Sequence, residues 1–263
     1  MILYYIRVSS KRELIGGIMK IKYFQKGFNY SQDGPGNRLV YHLHGCNLKC
    51  PWCANPEGMK IGIEYKGYPV TEAEISEIMA EILSCEPLFF DGGGVTFTGG
   101  EVSLQLPQIE TLLKLLKAEN INTCIETNGT NIKLPVLYPF LDRLIIDFKS
   151  GDETKLSEVT NADMEAVLKN IGVAVENGIS TLIRIPLIKG FNESDEDIGL
   201  FIHHLSKFSQ KAEVELLCYH EYGKEKWQKC GLEYTVRDAF ISPQRQKEIK
   251  EKFLNAGFKI ITT

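Results

Sequence analysis

The sequence predicts an α/β fold: a parallel sheet with helices outside it, favouring a barrel, complete or partial, over an open doubly wound sheet. Three observations lead there. Short apolar runs alternate with stretches of helical period six times along the chain, as successive strand–helix units around a parallel sheet do. The strand candidates are continuous apolar runs, as strands covered on both faces are. Polar residues recur where those runs end: the Cys46 loop, Gly99-Gly100-Glu101, Glu126, Asp147 with Lys149, Arg184 and His220. Barrel enzymes collect their chemistry on that rim.

The elements follow in order. Ile21, Tyr23 and Phe24 stand in an extended pattern behind Met19, a second plausible start. Residues 1–18 read as a dispensable extension or a product of start-site choice, against the plainer alternative of an extra strand or arm. Residues 38–44 form the first strand of the alternation, ended by Gly45 and preceded by the turn residues Asp33-Gly34-Pro35-Gly36. A helix is expected from Thr71, since Thr71 and Glu74 have capping-box spacing and Ile75, Ile78, Met79 and Ile82 share one face. Residues 95–97 are a short strand. Pro107 opens a helix with Leu112, Leu113 and Leu116 on one side. Residues 121–125 are a strand, 134–140 a short helix and 143–148 a strand. Asn161 is expected to cap a helix that runs to about residue 177 and stops at Gly178. Residues 181–185 are a strand, and Ser194 caps a helix carrying Ile198, Phe201, Ile202 and Leu205. Residues 214–217 are a strand with His220 just past it. Ser242-Pro243 starts the last helix, Gly257 ends it, and 258–261 forms a final strand. Residues two apart on a strand share a face, so Asp147 and Lys149 point one way, as do Cys218 and His220. No linker, low-complexity run or repeat divides the chain, and residues 19–263 read as one domain.

Composition removes several function classes. The chain has 263 residues, is 43% hydrophobic and carries a formal net charge of −4 without a long Lys/Arg run, which argues against binding nucleic acid by bulk charge. No apolar stretch reaches the length of a membrane span. The apolar opening Met1-Ile2-Leu3-Tyr4-Tyr5-Ile6 is stopped by Arg7, too short for a signal-peptide core. Seven cysteines, three of them clustered, fit a reducing cytoplasm better than a disulfide framework.

The cluster is Cys46-x3-Cys50-x2-Cys53. Three thiolates on one loop can hold three corners of an iron–sulfur cube and leave the fourth iron open, and an open position is made to bind something. A zinc knuckle with His42 or His44 as fourth ligand is the alternative, although zinc sites more often add a second distant cysteine pair. Gly99 and Gly100 let backbone approach a ligand, or simply make a tight turn beside a solvated Glu101. Lys149 can offer an ammonium to an anion, or stand solvated at a strand end. Arg184, on an apolar strand, needs a partner: a bound carboxylate or ribose, or a core salt bridge. Cys85, Cys124, Cys218 and Cys230 are isolated and read as inert thiols.

Trp52 immediately before Cys53, Asn55-Pro56-Glu57, Gly92-Gly93-Gly94-Val95-Thr96, Thr98-Gly99-Gly100-Glu101, Thr127-Asn128-Gly129, Asp147-Phe148-Lys149 and Tyr219-His220-Glu221-Tyr222-Gly223-Lys224 with Trp227 stand around the loop in order. Together with Asp33-Gly34-Pro35-Gly36-Asn37-Arg38 they resemble the radical S-adenosylmethionine (radical SAM) activating enzymes of glycyl radical enzymes, of the pyruvate formate-lyase activating type. The likeness runs from about Asp33 to the C-terminus.

The resemblance implies a partial (β/α)6 TIM-like barrel of the radical SAM type. It implies a [4Fe–4S] cluster on Cys46, Cys50 and Cys53 whose open iron chelates SAM, and a flavodoxin or ferredoxin-like electron donor. The 5′-deoxyadenosyl radical then takes a hydrogen atom from a backbone glycine of a partner glycyl radical enzyme. The cofactors carry this chemistry, and no side chain is implied as catalyst. The implied cofactor contacts are Trp52, Cys53, Ala54, Gly99, Gly100, Glu101, Glu126, Asp147, Phe148, Lys149, Arg184 and His220. Among them Glu101 accepts from the SAM ammonium, Lys149 meets its carboxylate, His220 lies at the nucleoside and Trp52 packs on the adenine. Glu126 and Asp147 match the family's monovalent cation site, with Glu126 one methylene longer than the family's Asp. Relatives with a ferredoxin-like insert carry further cysteine pairs, whereas residues 54–98 hold only Cys85. A radical SAM enzyme acting on a small molecule, and a non-catalytic metal-binding protein, are the rival readings.

Overall fold

The computed structural model describes residues 19–263; the expectation for residues 1–18 lies outside them. Seven strands run parallel as successive neighbours: β2 (Asn37–Leu43), β4 (Gly94–Gly99), β5 (Thr123–Thr127), β6 (Arg143–Asp147), β7 (Ser180–Leu187), β8 (Glu213–Cys218) and β9 (Lys259–Ile261). Two antiparallel strands extend the sheet beyond β2: β1 (Lys20–Tyr30) pairs with it, and β3 (Thr71–Glu74) pairs with β1. The order is β3-β1-β2-β4-β5-β6-β7-β8-β9, and among the described residues no ladder joins β3 to β9. The sheet is therefore a partial barrel, open between β3 and β9 among the described residues.

Helices cover the outer face with the periods the sequence carries. α1 (Ile75–Ser84) buries Ile75, Ile78, Met79 and Ile82, and α2 (Leu106–Ala118) buries Ile109, Leu112, Leu113 and Leu116. Each such side chain removed from water contributes roughly 1.5–3 kcal/mol, so the apolar stripes fix the faces. α4 (Met164–Glu176), α5 (Asp195–Leu205) and α7 (Pro243–Asn255) continue the layer. α5 starts with the capping box of Ser194 and Asp197, and Ser242 caps α7 by accepting from the Arg245 amide.

The strand period sorts the sheet's residues onto two faces. Leu144, Ile146 and Phe148 of the β6 region join the core under the helices, whereas Ile145 packs with Cys124 and Leu182 in a separate small cluster. Next to that inner cluster lies Arg38, fully buried. It donates to Thr96 Oγ1 at 2.7 Å, Asn122 Oδ1 at 2.9 Å and the Val95 carbonyl at 2.8 Å. One turn of the strand pleat further along, Thr98, Glu126 and Arg184 form the polar layer beneath the site.

Two local expectations are corrected. Residues 71–74 do not start a helix; they pair with Lys20–Tyr23 of β1, whose edge backbone groups need partners. The helix begins only where its apolar stripe does, and the box is Glu74 with Glu77, whose Oε2 accepts from the Glu74 amide at 2.8 Å. Asn161 does not open α4. It closes a helix the periodicity did not separate, α3 (Glu153–Thr160), in a left-handed conformation at φ 68°, which Asn tolerates. The cap of α4 is Asp163, which accepts from the amides of Glu165 and Ala166. A further short helix, α6 (Lys224–Lys229), follows β8. Residues Leu134–Phe140 are a 3₁₀ helix holding Pro139. No helix of the described residues is long and apolar enough to cross a membrane.

Candidate active site

β2 delivers the chain straight into the cysteine loop, and β4 ends against it. The Gly45 and Cys46 amides donate to the carbonyls of Gly58 and Met59 at 2.8 and 2.9 Å, and the Glu101 amide donates to the Gly45 carbonyl at 2.7 Å. The loop is thus sewn on both sides. Gly100 is required by that packing: a Cβ there would lie 2.0 Å from the Gly45 carbonyl oxygen. The same closeness lets Gly99 and Gly100 line a cavity of about 230 Å³ at the C-terminal strand ends.

Cys46, Cys50 and Cys53 form one wall of this cavity; Thr98, Glu126, Asp147, Lys149, Arg184 and His220 contribute to the rest. The three thiols are free. Burial pushes Cys46 up to about 11 and Cys53 up to about 12, and raises Cys50 as well. Nearby amides already favour thiolates, since Leu48 N donates to Cys46 Sγ and Asn55 N to Cys53 Sγ, each at 3.4 Å. A coordinating metal deprotonates such thiols outright. Among the described residues no three His, Cys, Asp or Glu side chains converge on a single ion, whereas a cube takes each thiolate on a separate iron. Neither His42 nor His44 lines the cavity, so the zinc alternative lacks its fourth ligand there. The donor set fits an iron–sulfur cube with one open corner.

Opposite the thiols stands Lys149. Its ammonium meets Asp147 Oδ2 at 2.5 Å, with the lysine side chain 12% exposed. Burial alone would discharge it, but Asp147 and the thiols of Cys50 and Cys46 outweigh burial and hold its pKa above the ordinary lysine value. Arg184 is the centre of a second group. It donates to Glu126 Oε1 and Glu215 Oε2, both at 2.7 Å, and to the Gln32 carbonyl at 2.8 Å. Of its two expected kinds of partner, the structure provides the salt bridge. Burial, with Asp33 and Asp147 adding to it and Arg184 and Thr98 opposing, leaves Glu126 pushed up to about 7.

His220 reaches the cavity from beyond β8, its ring stacked on Tyr222 at 4.2 Å. Its Nδ1 is buried without a hydrogen-bond partner, and burial lowers its pKa. The result is a neutral imidazole with one spare polar atom for a ligand. Trp52, packed on Phe191 at 4.8 Å, and Ala54 also line the cavity.

Two expected contacts are not brought there. Glu101 is 1% exposed, and its carboxylate accepts from Ser103 N at 2.9 Å, Thr127 Oγ1 at 2.7 Å and Asn128 N at 2.8 Å. It ties the β4 and β5 ends together instead of facing the cavity. Phe148 points the other way from Asp147 and Lys149, as strand alternation requires, and packs edge-on against Phe201 at 5.5 Å. Other site residues were missed in the sequence. Glu215 is the second carboxylate on Arg184. Asn192, fully buried, donates to the carbonyls of Lys149 and Pro186 at 2.8 and 2.7 Å and so fixes the Lys149 loop. Asn128 Nδ2 lies 3.9 Å from Cys46 Sγ. Their partners are distant in sequence, and only Asn128, within Thr-Asn-Gly, carried a signal.

A partial barrel whose strand ends gather three cysteines around an open cavity is the arrangement of one class. The residue pattern of the Radical SAM superfamily matches residues 40–202, and the chain belongs to that superfamily. Its cofactors are accordingly a [4Fe–4S] cluster and SAM. The chain is 33% identical over 245 residues to the pyruvate formate-lyase-activating enzyme of Staphylococcus epidermidis, covering 88% of this chain and 94% of that one. It is 32% identical to the enzyme of the same name from Clostridium pasteurianum, over 84% of this chain and 92% of that one. Within the superfamily it groups with these activating enzymes. A solved domain of the Bacteroides vulgatus pyruvate-formate lyase-activating enzyme superposes with a TM-score of 0.53 at 26% identity, covering 65% of this chain and 98% of that one. A radical SAM methyltransferase from Sphaerobacter thermophilus, at TM-score 0.62 and 13% identity over 90% of this chain and 68% of that one, shares the fold.

Proposed function

We propose that this chain activates a glycyl radical enzyme of the pyruvate formate-lyase kind by forming a radical on one of its backbone glycines. The observation that carries the reading is the cavity in which three cysteine thiols face the Asp147–Lys149 pair across Gly99 and Gly100. When bound, the cluster and SAM supply the means of taking a hydrogen atom from that glycine, with one electron from a flavodoxin or ferredoxin-like donor.

The chain's own residues hold and orient. Cys46, Cys50 and Cys53 hold three irons. Lys149, kept charged by Asp147, meets the SAM carboxylate. Gly99 and Gly100 admit its amine end to backbone carbonyls, and His220 Nδ1 takes a hydrogen bond from the nucleoside side while Trp52 covers the base. Arg184 acts through Glu126, which it holds against the cavity. Asp33, Glu126, Asp147 and Glu215 outnumber Arg184 and Lys149, the cations they pair with or sit beside. A proton on Glu126 or a monovalent cation between Glu126 and Asp147 halves that excess of two negative charges.

The test mixes reduced protein, SAM and a candidate partner without oxygen and looks for a glycyl radical by electron paramagnetic resonance (EPR). Radical on the partner, with deuterium passing from a labelled glycine into 5′-deoxyadenosine, is expected. SAM cleavage with neither sign would move the assignment to a small-molecule substrate.

A further inference from the structure

The geometry points to α6 as a clamp on the third cysteine, with Gly223, Lys226 and Trp227 as positioning residues for the cluster. The inference rests on the reading of Cys46, Cys50 and Cys53 as cluster ligands. Trp227 is 9% exposed, and its indole Nε1 donates to the Cys53 carbonyl at 2.9 Å. One turn earlier, Gly223 lies so close to the same stretch that a Cβ would sit 2.3 Å from the Cys53 carbonyl oxygen and 2.9 Å from Ala54 Cα. Between them, Lys226 Nζ donates to Asn55 Oδ1 at 2.9 Å and to Glu57 Oε1 at 2.7 Å. Glu57 is 2% exposed, so this ion pair is buried on the carboxylate's side, and removing the ammonium would strand a buried charge.

Gly223 just before α6, and Lys226 and Trp227 within it, therefore grip Cys53, Ala54, Asn55 and Glu57. The grip reaches the metal ligand itself, because the Asn55 amide is the group that donates to Cys53 Sγ. The helix is anchored from behind: Trp227 packs edge-on against Tyr234 at 5.7 Å, and the Tyr234 hydroxyl lies 2.6 Å from that of Tyr219. Tyr219 adjoins His220, which lines the cavity. One segment thus carries a wall of the SAM cavity at one end and the support of the third thiolate at the other. Cluster retention and SAM binding are coupled through it.

The test uses the anaerobic, cluster-loaded protein and measures iron release to a chelator, with and without SAM. Trp227→Phe keeps the ring and removes the donor, Lys226→Met removes the charge and Lys226→Arg keeps it. Release is expected to be about tenfold faster in the first two, the equivalent of one buried hydrogen bond of roughly 1.4 kcal/mol, and within about twofold of wild type in Lys226→Arg by the same scale. SAM is expected to slow release less in Trp227→Phe than in wild type, and the EPR spectrum of its reduced, SAM-bound cluster to broaden. Wild-type release rates and spectra in all variants would overturn the clamp. So would faster release that merely tracks a lower unfolding midpoint of the metal-free protein. Wild-type protein loading about four irons per chain separates the two inferences: without it the cluster reading falls, and with it only the clamp is at stake.

Discussion

A lysine with little access to water stays charged only where nearby anions repay the lost hydration. Lys149 has the Asp147 carboxylate at 2.5 Å, so it is a fixed cation aimed at the open side of the cysteine loop. Lys149→Met is expected to weaken SAM binding about ten- to hundredfold, as loss of a hydrogen bond to a charged group does at roughly 1.5–3 kcal/mol, with iron content unchanged. Anaerobic equilibrium binding and iron analysis check both halves. Glu101→Gln should behave in the opposite way. Its carboxylate holds three donors, Ser103 N in the turn after β4 and Thr127 Oγ1 and Asn128 N at the end of β5, so the change is expected to cost roughly 1.5–3 kcal/mol of stability in urea unfolding while SAM affinity falls less than about tenfold. Unaltered stability together with lost SAM binding would restore Glu101 as a direct ligand. The contrast shows what the residue string could convey. The Asp147–Lys149 pair follows from the strand period alone, and the same rule sends Phe148 outward. Two of the three donors to Glu101 lie 26 and 27 residues further on, and the carboxylates on Arg184 lie 31 and 58 residues away. Spacing within a motif carries no information about such contacts.

At the scale of elements, the site depends on how β4 meets the loop after β2. Backbone sits where a Gly100 side chain would be, and backbone cannot step aside as a flexible side chain can. Gly100→Ala is expected to cost more than about 3 kcal/mol, the range of severe overpacking, and to lose iron binding. Gly27→Ala, at a position on β1 with nothing within 4 Å of the added atom, should instead be neutral or stabilising by about 0.4–1 kcal/mol. Equal unfolding midpoints for the two variants would contradict the packing argument. At the opposite end of the strands, Glu213 of β8 joins β6 and β9. Its Oε2 accepts from Arg143 at 2.7 Å, and Oε1 pairs with Lys259. Burial alone would raise its pKa, but Lys259 and Arg143 outweigh it and hold the carboxyl below the usual value of 4.5. A lowered acid pKa adds stability that is full above the unfolded value and disappears as pH falls through the folded one. Glu213→Gln should therefore cost about 1 kcal/mol near neutral pH, after allowing for solvent screening, and nothing once the carboxyl is protonated in both states; urea midpoints across pH 3–7 measure it. Helix and strand periods were legible in α1, α2, α5 and the parallel strands. The 71–74 pairing was not, because Thr-Glu-Ala-Glu reads equally well as a helix start until β1 offers it an edge.

Across the whole molecule, seven parallel strands and two antiparallel ones make a sheet whose ends do not meet among the described residues. A complete barrel of this kind has eight parallel strands. The alternation of six units with polar strand ends favoured a barrel, complete or partial, since those features lie within single stretches of chain, and only the family resemblance implied the partial form. Of the antiparallel pair that widens it, β1 showed only the short extended pattern of Ile21, Tyr23 and Phe24, since the rest of that strand is mostly exposed, and β3 read as a helix start. The open side matters for the substrate. A glycine-bearing loop on a large partner could enter through such a gap, whereas a closed rim would suit a free metabolite. If that is the route, the partner must first present the loop, and turnover will follow the fraction of partner molecules that do so as well as their affinity. A short peptide copying the loop carries no such conformational requirement but loses the surrounding contacts. It is expected to be a poor yet detectable substrate that passes deuterium from its glycine into 5′-deoxyadenosine. Mild destabilisation of the folded partner around its glycine should raise the rate of activation at fixed protein concentration. An activation rate unmoved by that destabilisation, with no deuterium transfer from the peptide, would mean that the glycine is reached without loop exposure, and entry through the gap would have to be given up.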